Sequence, residues 1–263
     1  MTAESSPYRD GDALLLPGGV GVSQLDVYDW PTADDSHGGS PHMHLTCMEA
    51  YVVVGGEGAV QTLTAGGQQE SELRPGTTLW FTPGTIHRLI NSADLRIVVV
   101  MQNNGLPEAG DAVFTFPPEI LDDPAAYAQA ATLPSPAVEG HAAAEAAARA
   151  RRDLAIEGFG RLRDEIAAGR DEALLRFHEQ ALALVGGKLA DWEQRWRAGA
   201  LAEAERTGAQ LAALKSGDVS RLRAAEIRQI VPRDDRRLGM CGRLTTYPVE
   251  RANEVGGTRP DAG

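Results

Sequence analysis

Three histidines and one glutamate stand at spacings that could surround a single ion. The stretch PHMHLTCMEAYVVVGGEG, residues 41–58, places His42 and His44 two positions apart and Glu49 five positions further on. Alternate side chains of an extended strand share a face, so the two imidazoles lie about 6 to 7 Å apart and can bind one ion. Glu49 has the wrong parity for that face. A turn or bulge at residues 46–48 must therefore bring it back.

A second stretch, RPGTTLWFTPGTIHRLIN at residues 74–91, carries His87 after a Pro-Gly turn and Asn91 four positions later. Together, H-x-H-x4-E-x6-G and G-x5-T-P-G-x2-H-x3-N resemble the two signature motifs of the cupin superfamily. The resemblance covers residues 20–116, and Ser36 and Thr82 replace the usual glycine and proline. It implies a cupin-type double-stranded β-helix, or jelly-roll, barrel. It also implies that the metal ligands are His42, His44, Glu49 and His87.

The donor set itself indicates the kind of ion. Three neutral imidazoles and one carboxylate suit one divalent ion of Fe, Mn, Co, Ni or Zn, and an octahedral ion so held keeps two adjacent positions open. Those positions admit two oxygens of a substrate, or water and dioxygen. Gly56 and Gly84 permit turns that other residues adopt only with strain, and Asn91 is expected to close the turn after the His87 strand.

Strand parity proposes the remaining site residues. Tyr51 shares the face of Glu49, so it is a candidate catalytic acid or hydrogen-bond donor, the alternative being an aromatic that fills the barrel. Arg74 and Arg88 are scarce cations in an acidic region and are candidate substrate-binding residues for a carboxylate or phosphate. Arg88 has the opposite parity to His87, which favours an outward direction.

The chain divides by composition. Residues 1–19 are an N-terminal arm, and residues 20–116 read as about eight short strands separated by turn residues, which indicates a mainly β barrel or sandwich. Residues 117–140 are a proline-containing linker. Residues 141–231 show helical spacing and predict a C-terminal α-helical region that covers a barrel mouth or forms a dimer surface. Residues 232–263 are a loop-rich tail, with RLTTYPV as a possible short strand.

Charge limits the partners. Residues 1–137 contain 4 arginines, no lysine and 17 acidic residues, whereas residues 138–233 contain 16 basic and 15 acidic residues. Nucleic acid and anionic membranes both require a cationic face, so we expect neither as a partner. No apolar run reaches the roughly 20 residues of a membrane span, and two cysteines form no disulfide framework. We expect a cytoplasmic protein, a homodimer, with a small-molecule substrate.

Three functions fit these residues. The first is a metal-dependent isomerase or epimerase of a polyoxygenated, sugar-like metabolite, in which the ion stabilises an enediolate. Its weakness is the missing base, since Glu49 is a ligand and the ordinary pKa of a tyrosine is about 10. The second is an Fe(II)-dependent dioxygenase. The third is a non-catalytic, metal-dependent small-molecule binding or sensing protein.

Overall fold

Residues 15–247 are described by the structure, which is a computed structural model. Most of the sheet precedes the helices, and two further strands follow them. The strands are β1 Gly21–Val27, β2 His42–His44, β3 Glu49–Thr64, β4 Gly67–Leu73, β5 Thr78–Phe81, β6 Ile86–Met101, β7 Ala112–Phe114, β8 Arg236–Leu238 and β9 Gly242–Thr246. The helices are α1 Pro118–Leu121, α2 Pro124–Ala131, α3 Pro136–Glu139, α4 His141–Ala167, α5 Glu172–Val185, α6 Leu189–Trp196, α7 Ala202–Lys215 and α8 Ser220–Arg223.

The sheet is built around β3 and β6, which pair with each other along most of their length. β3 also pairs with β4 and β5, and β6 pairs with β1 and β2. β2 pairs in turn with β7, and β1 with β9. Every one of these pairings is antiparallel. The predicted mainly β region followed by helices is therefore confirmed.

Alternation along β3 sets an inner and an outer face. Glu49, Tyr51 and Val53 are buried, whereas the residues between them are partly buried. The buried inner residues form one apolar cluster with contributions from β1, β3, β4, β5, β6 and the connection between β8 and β9. Its buried members are Leu25, Val27, Tyr51, Val53, Val60, Leu73, Phe81, Leu89, Leu95, Ile97, Val99 and Cys241.

The helices pack on the outer side of the barrel. Met43 lies between the two histidines of β2, faces away from them, and belongs to a second apolar cluster with Phe114 and the helical Phe159. Gly158 of α4 meets the chain at Thr115 so closely that an added Cβ would lie 2.0 Å from the Thr115 carbonyl oxygen. Phe159 and Gly158 of α4 thus pack against the part of the barrel wall that carries β2 and β7.

The tail returns to the barrel. β9 pairs with β1, and residues 239–241 between β8 and β9 make several backbone contacts. The Met240 carbonyl oxygen accepts from the Ser40 N–H at 3.0 Å, and the Cys241 carbonyl oxygen accepts from the Tyr28 N–H at 3.1 Å. Arg151 of α4 donates to the Gly239 carbonyl oxygen at 2.8 Å. The segment expected to be loop-rich therefore adds two strands to the sheet, and RLTTYPV overlaps β9.

The predicted linker, residues 117–140, contains the three short helices α1, α2 and α3. The N-terminal arm lies outside the described residues up to residue 14, and the last part of the tail does so from residue 248. Among residues 15–247, no helix has both the length and the apolar character that a bilayer span requires. The expectations of a cytoplasmic homodimer that binds neither nucleic acid nor membrane stay predictions.

Candidate metal site

The four side chains with ligand spacing converge inside the barrel. One potential ligand atom from each of His42, His44, Glu49 and His87 lies within 4.8 Å of the others, and all four residues are buried. His42 stands opposite His87 in the pairing of β2 with β6. The residues at positions 45–48 connect β2 to β3 and return Glu49 to the same side. The sequence motif therefore describes one cluster in space.

Each imidazole is oriented by a hydrogen bond at Nδ1. The partners are the Ser40 carbonyl oxygen for His42 at 2.9 Å and the Thr85 carbonyl oxygen for His87 at 3.1 Å. For His44 the partner is a carboxylate oxygen of Asp111 at 3.1 Å. Because these oxygens accept, Nδ1 carries the proton in each neutral ring, and Nε2 keeps its lone pair for an ion.

Atoms at the centre of the cluster lack hydrogen bonds. Oε2 of Glu49 and Nε2 of His87 are 3.0 Å apart, yet both are buried without a hydrogen-bond partner. Both atoms are acceptors when Nδ1 of His87 carries the proton, so neither can donate to the other. Unsatisfied buried polar atoms are destabilising. A bound cation would satisfy both atoms, so these residues fit a metal ion.

The electrostatics of the cluster are coupled. Burial, reinforced by the charge of neighbouring imidazoles, holds the pKa of His42 well below its usual range. Burial lowers the pKa of His44, but the nearby carboxylates of Asp111 and Glu49 outweigh it and raise that pKa to about 9. Burial raises the pKa of Glu49, but His87 and His44 outweigh it and hold this pKa well below its usual range. The carboxyl group of Glu49 is therefore ionised at neutral pH.

Tyr51 lies beside the ligands, on the face that parity predicted. Its hydroxyl is buried without a partner, and burial together with the charge of Glu49 raises its pKa well above 10. Its ring contacts Phe81, which stacks on the ring of His87 with centroids 4.2 Å apart. The hydroxyl therefore keeps its proton inside the barrel, and the catalytic role of Tyr51 stays a prediction.

The two arginines predicted to bind substrate have other partners. Arg74 is exposed and pairs with Glu72 at 3.1 Å. Arg88 points away from His87, but it is buried because the chain near Asp34 folds over it. Its guanidinium donates to both carboxylate oxygens of Asp34 at 2.5 and 3.0 Å. Arg88 thus points outward from the barrel, as expected, but its side chain is enclosed by the chain near Asp34. Substrate binding by either arginine stays a prediction.

The motif glycines and Asn91 shape the backbone around the site. Gly56 and Gly84 have φ of 69° and 87°, in the left-handed region that favours glycine. The Gly84 N–H donates to the His44 carbonyl oxygen at 2.9 Å, which ties the turn before His87 to β2. Asn91 lies within β6, accepts from the Leu95 N–H at 3.0 Å and donates to the Val27 carbonyl oxygen at 3.0 Å.

Sequence reasoning missed two residues at the site, Asp111 and Cys241. Burial opposes ionisation of Asp111, but hydrogen bonds from His44 and Thr46 hold its pKa at about 2. The sulfur of Cys241 lies 3.9 Å from Nδ1 of His42, and burial raises the pKa of its thiol above the usual range. Asp111 lies in a turn-rich loop and Cys241 in the tail. Neither has a spacing that would mark it.

The region that contains the four residues matches one family model. Residues 39–127 match the family model described as Cupin. No curated protein matches the chain significantly. Three solved structures illustrate the structural matches: a Drosophila melanogaster CENP-C bound to CAL1, a Klebsiella pneumoniae protein with a double-stranded β-helix domain, and a Desulfitobacterium hafniense cupin superfamily protein.

Their identities are 23%, 17% and 14%, and their TM-scores are 0.25, 0.28 and 0.26. The aligned regions cover 31%, 40% and 40% of this chain and 58%, 84% and 75% of the other chains, so the chain spans little more than half of the first. These TM-scores are too low to carry an argument about function. The match to the Cupin family model includes all four residues of the cluster, His42, His44, Glu49 and His87.

Proposed function

We propose that this protein binds one divalent transition-metal ion through Nε2 of His42, His44 and His87 and the carboxylate of Glu49. The observation that carries the proposal is the convergence of these four buried side chains, with the three Nδ1 atoms engaged elsewhere. Three nitrogen donors and one oxygen donor suit Fe, Mn, Co, Ni or Zn. Four protein ligands leave room on such an ion for a small molecule.

The barrel wall limits the substrate. Around the ligands the inner face is apolar, with Val53, Leu89 and Val99 among its members. A sugar brought against this wall would leave hydroxyl groups without hydrogen bonds, which is unfavourable. The wall instead suits a small molecule with an apolar body that offers one or two oxygens to the ion.

The protonation states of the side chains near the cluster also favour one of the candidate functions over another. An isomerase that forms an enediolate needs a base, and the inner-face groups nearest the ligands are Tyr51 and Cys241, both protonated at neutral pH because their pKa values are raised. Asp111 is ionised but fully engaged by hydrogen bonds. We therefore favour the Fe(II)-dependent dioxygenase over the isomerase or epimerase of a polyoxygenated metabolite.

An Fe(II) ion held by these residues would supply the chemistry of dioxygen activation beside a coordinated substrate. The residues of the chain have the remaining tasks. The apolar wall excludes water from the site, and Phe81 holds the ring of His87 by stacking. Tyr51 keeps its proton and can donate a hydrogen bond to an oxygen bound beside Glu49.

The test begins with protein stripped of metal and reloaded separately with Fe(II), Mn(II), Co(II), Ni(II) and Zn(II) without air. Oxygen uptake is then measured with catechols and 1,3-dicarbonyl compounds, and sugar interconversion is measured with aldoses and ketoses. Uptake that requires Fe(II) and is lost in His87→Ala supports the dioxygenase. Sugar interconversion without oxygen uptake supports the isomerase. Stoichiometric metal with neither activity supports the binding or sensing protein.

A further inference from the structure

Asp111 connects the elements that carry two of the ligands. It precedes β7, its side chain is 0% exposed, and it and Glu49 are the buried carboxylates of residues 15–247. One oxygen, Oδ2, accepts from Nδ1 of His44 at 3.1 Å and from the Cys47 N–H at 3.2 Å. The other, Oδ1, accepts from the Thr46 N–H at 2.8 Å and the Thr46 hydroxyl at 2.7 Å.

These contacts explain how Glu49 reaches the histidine face. His44 ends β2 and Glu49 begins β3, and a continuous strand would place the two side chains on opposite faces. The residues between them leave the strand conformation, and their N–H groups at positions 46 and 47 turn to the carboxylate of Asp111 instead of to a neighbouring strand. Asp111 thus holds the segment that returns Glu49 to the cluster.

The same carboxylate selects the tautomer of His44. An ionised carboxylate only accepts hydrogen bonds, so it keeps the proton of the neutral imidazole on Nδ1 and leaves Nε2 free for an ion. His42 and His87 receive the same control from backbone carbonyl oxygens, which substitution does not remove. Of the three histidines, only His44 has a carboxylate as the hydrogen-bond partner of its Nδ1.

We propose that Asp111 is a positioning residue for the metal site, which sets the tautomer of His44 and the position of Glu49 together. This inference rests on the proposed metal binding. It assigns a role in the site to a residue outside the two sequence motifs, 67 positions from His44 in the chain.

The substitution Asp111→Asn has a specific expected effect. The amide oxygen keeps the place of Oδ1, because two strong donors of Thr46 face it, and the amide NH2 then faces Nδ1 of His44. That NH2 donates, so Nδ1 must accept and the imidazole proton moves to Nε2, which can then no longer bind an ion. Metal affinity should fall about 10- to 100-fold, which is the range for loss of a group that orients a ligand.

The experiment measures two quantities in full-length protein. Metal affinity is obtained by chelator competition with the ion that wild type retains, and ¹⁵N NMR of the histidine rings gives the tautomer of His44 in the metal-free protein. We expect Nδ1–H in wild type above the pKa of His44 and Nε2–H in Asp111→Asn. Wild-type affinity and tautomer in the variant would overturn the proposal. If wild type binds no metal, the proposed function fails, and the tautomer still tests the role of Asp111.

A second variant keeps the inference testable if Asp111→Asn does not fold. Thr46→Val removes one donor to Oδ1 and leaves the contact with His44 intact. We expect the Nδ1–H tautomer to persist and the affinity to fall severalfold, because the segment before Glu49 is held less firmly. Unchanged affinity would contradict the role assigned to the loop contacts. Ser71→Ala, on exposed β4, is the control for a lost hydroxyl.

Discussion

Glu49 and His87 lie 3.0 Å apart at Oε2 and Nε2, although they belong to distant parts of the paired strands β3 and β6. In the strand register, Glu49 is opposite Met101 and His87 is opposite Thr62. On a flat sheet, the distance from residue 49 to residue 62 would be roughly 40 Å. The paired strands must therefore bend back on themselves, and the register shifts between Val53 and Gly58 mark the bend.

This geometry predicts unequal costs for replacing the two motif glycines. A Cβ on Gly56 would lie 2.1 Å from the Asp94 carbonyl oxygen, whereas a Cβ on Gly84 would meet nothing within 4 Å. Gly84→Ala should lower the free energy of unfolding by about 1–2 kcal/mol, the penalty for a left-handed residue alone. Gly56→Ala should lower it by more than about 3 kcal/mol, because backbone must also move. Urea unfolding measures both, and equal losses would show that the bend does not depend on Gly56.

Loss of a ligand should remove the metal without unfolding the chain. In His87→Ala we expect metal affinity to fall by more than about 100-fold, since removing even an outer partner of a ligand lowers it 10- to 100-fold. Elemental analysis and chelator competition measure this. His37→Ala is the matched control, because His37 is an exposed imidazole outside the cluster. Equal metal content in the two variants would rule out the proposed ligand set.

The pKa of His44 predicts how metal binding depends on pH. In the metal-free protein this pKa is about 9, so an ion that binds at neutral pH displaces a proton from His44. The apparent dissociation constant should rise about tenfold per pH unit as the pH falls from 8.5 to 6.5. Competition titrations at several pH values measure it, and a constant value over this range would contradict the assignment of His44 as a ligand.

The raised pKa of His44 also makes the stability of the metal-free protein depend on pH. Because the folded-state pKa of His44 is raised, its contribution to the metal-free protein is fully present below about pH 6.5 and is lost as the pH rises through about 9. Bound metal has the opposite trend, since its affinity rises with pH. The increase in Tm caused by metal should therefore widen from pH 6.5 to 8.5. Thermal melts with and without a chelator measure it.

The enclosed Arg88 predicts a role for Asp34 in stability. Asp34→Asn would leave a buried guanidinium without its counter-charge, a change that costs about 3–5 kcal/mol in a full interior. Since the side chain of Asp34 is 42% exposed, we expect a loss of about 1–3 kcal/mol. Asp35→Asn, in the same turn, should have little effect because asparagine tolerates its positive φ. Urea unfolding at pH 7 compares the two variants, and equal stabilities would contradict the assigned pair.

Lowering the pH should weaken the ion pair between Asp34 and Arg88. The hydrogen bond from Arg88 is the main reason that the pKa of Asp34 is about 2, below the ordinary value of 3.8. A depressed pKa contributes stability that is present above pH 3.8 and lost as the pH falls towards 2. The difference in unfolding free energy between wild type and Asp34→Asn should therefore narrow in this window. A difference independent of pH would show that the loss has another origin.

The cluster of His42, His44, Glu49 and His87 was predictable because each of the two sequence motifs that supply it is short and local. On strands, parity decides which face a side chain occupies, and this rule placed Tyr51 on the inner face with Glu49. The same rule misjudged the environment of Arg88, since parity gives the face of a strand and not what covers that face. The chain around Asp34 provides the cover, and no pattern in β6 reports it.

Asp111 and Cys241 could not be predicted for a related reason. Each reaches the cluster through tertiary contacts of a loop, and loop paths depend on the packing of elements already formed. Composition was an equally weak guide to the tail, because the short β8 and β9 show little alternation of apolar and polar residues. These strands form because β9 pairs with the edge of β1 and β8 pairs with β9. The helix α5, whose buried residues Leu174, Phe177 and Ala181 recur at helical spacing, needed no such help.

The return of the tail to the barrel has a consequence for biosynthesis. Cys241 lies next to His42 at a separation of 199 residues, and β9 covers the edge of β1. While the ribosome is still making the helices, β1 has no partner on that side and the wall beside His42 is incomplete. Contacts between such distant residues form slowly, and an exposed strand edge invites pairing with other chains. We therefore expect the nascent protein to be most prone to aggregation in the interval before β9 emerges.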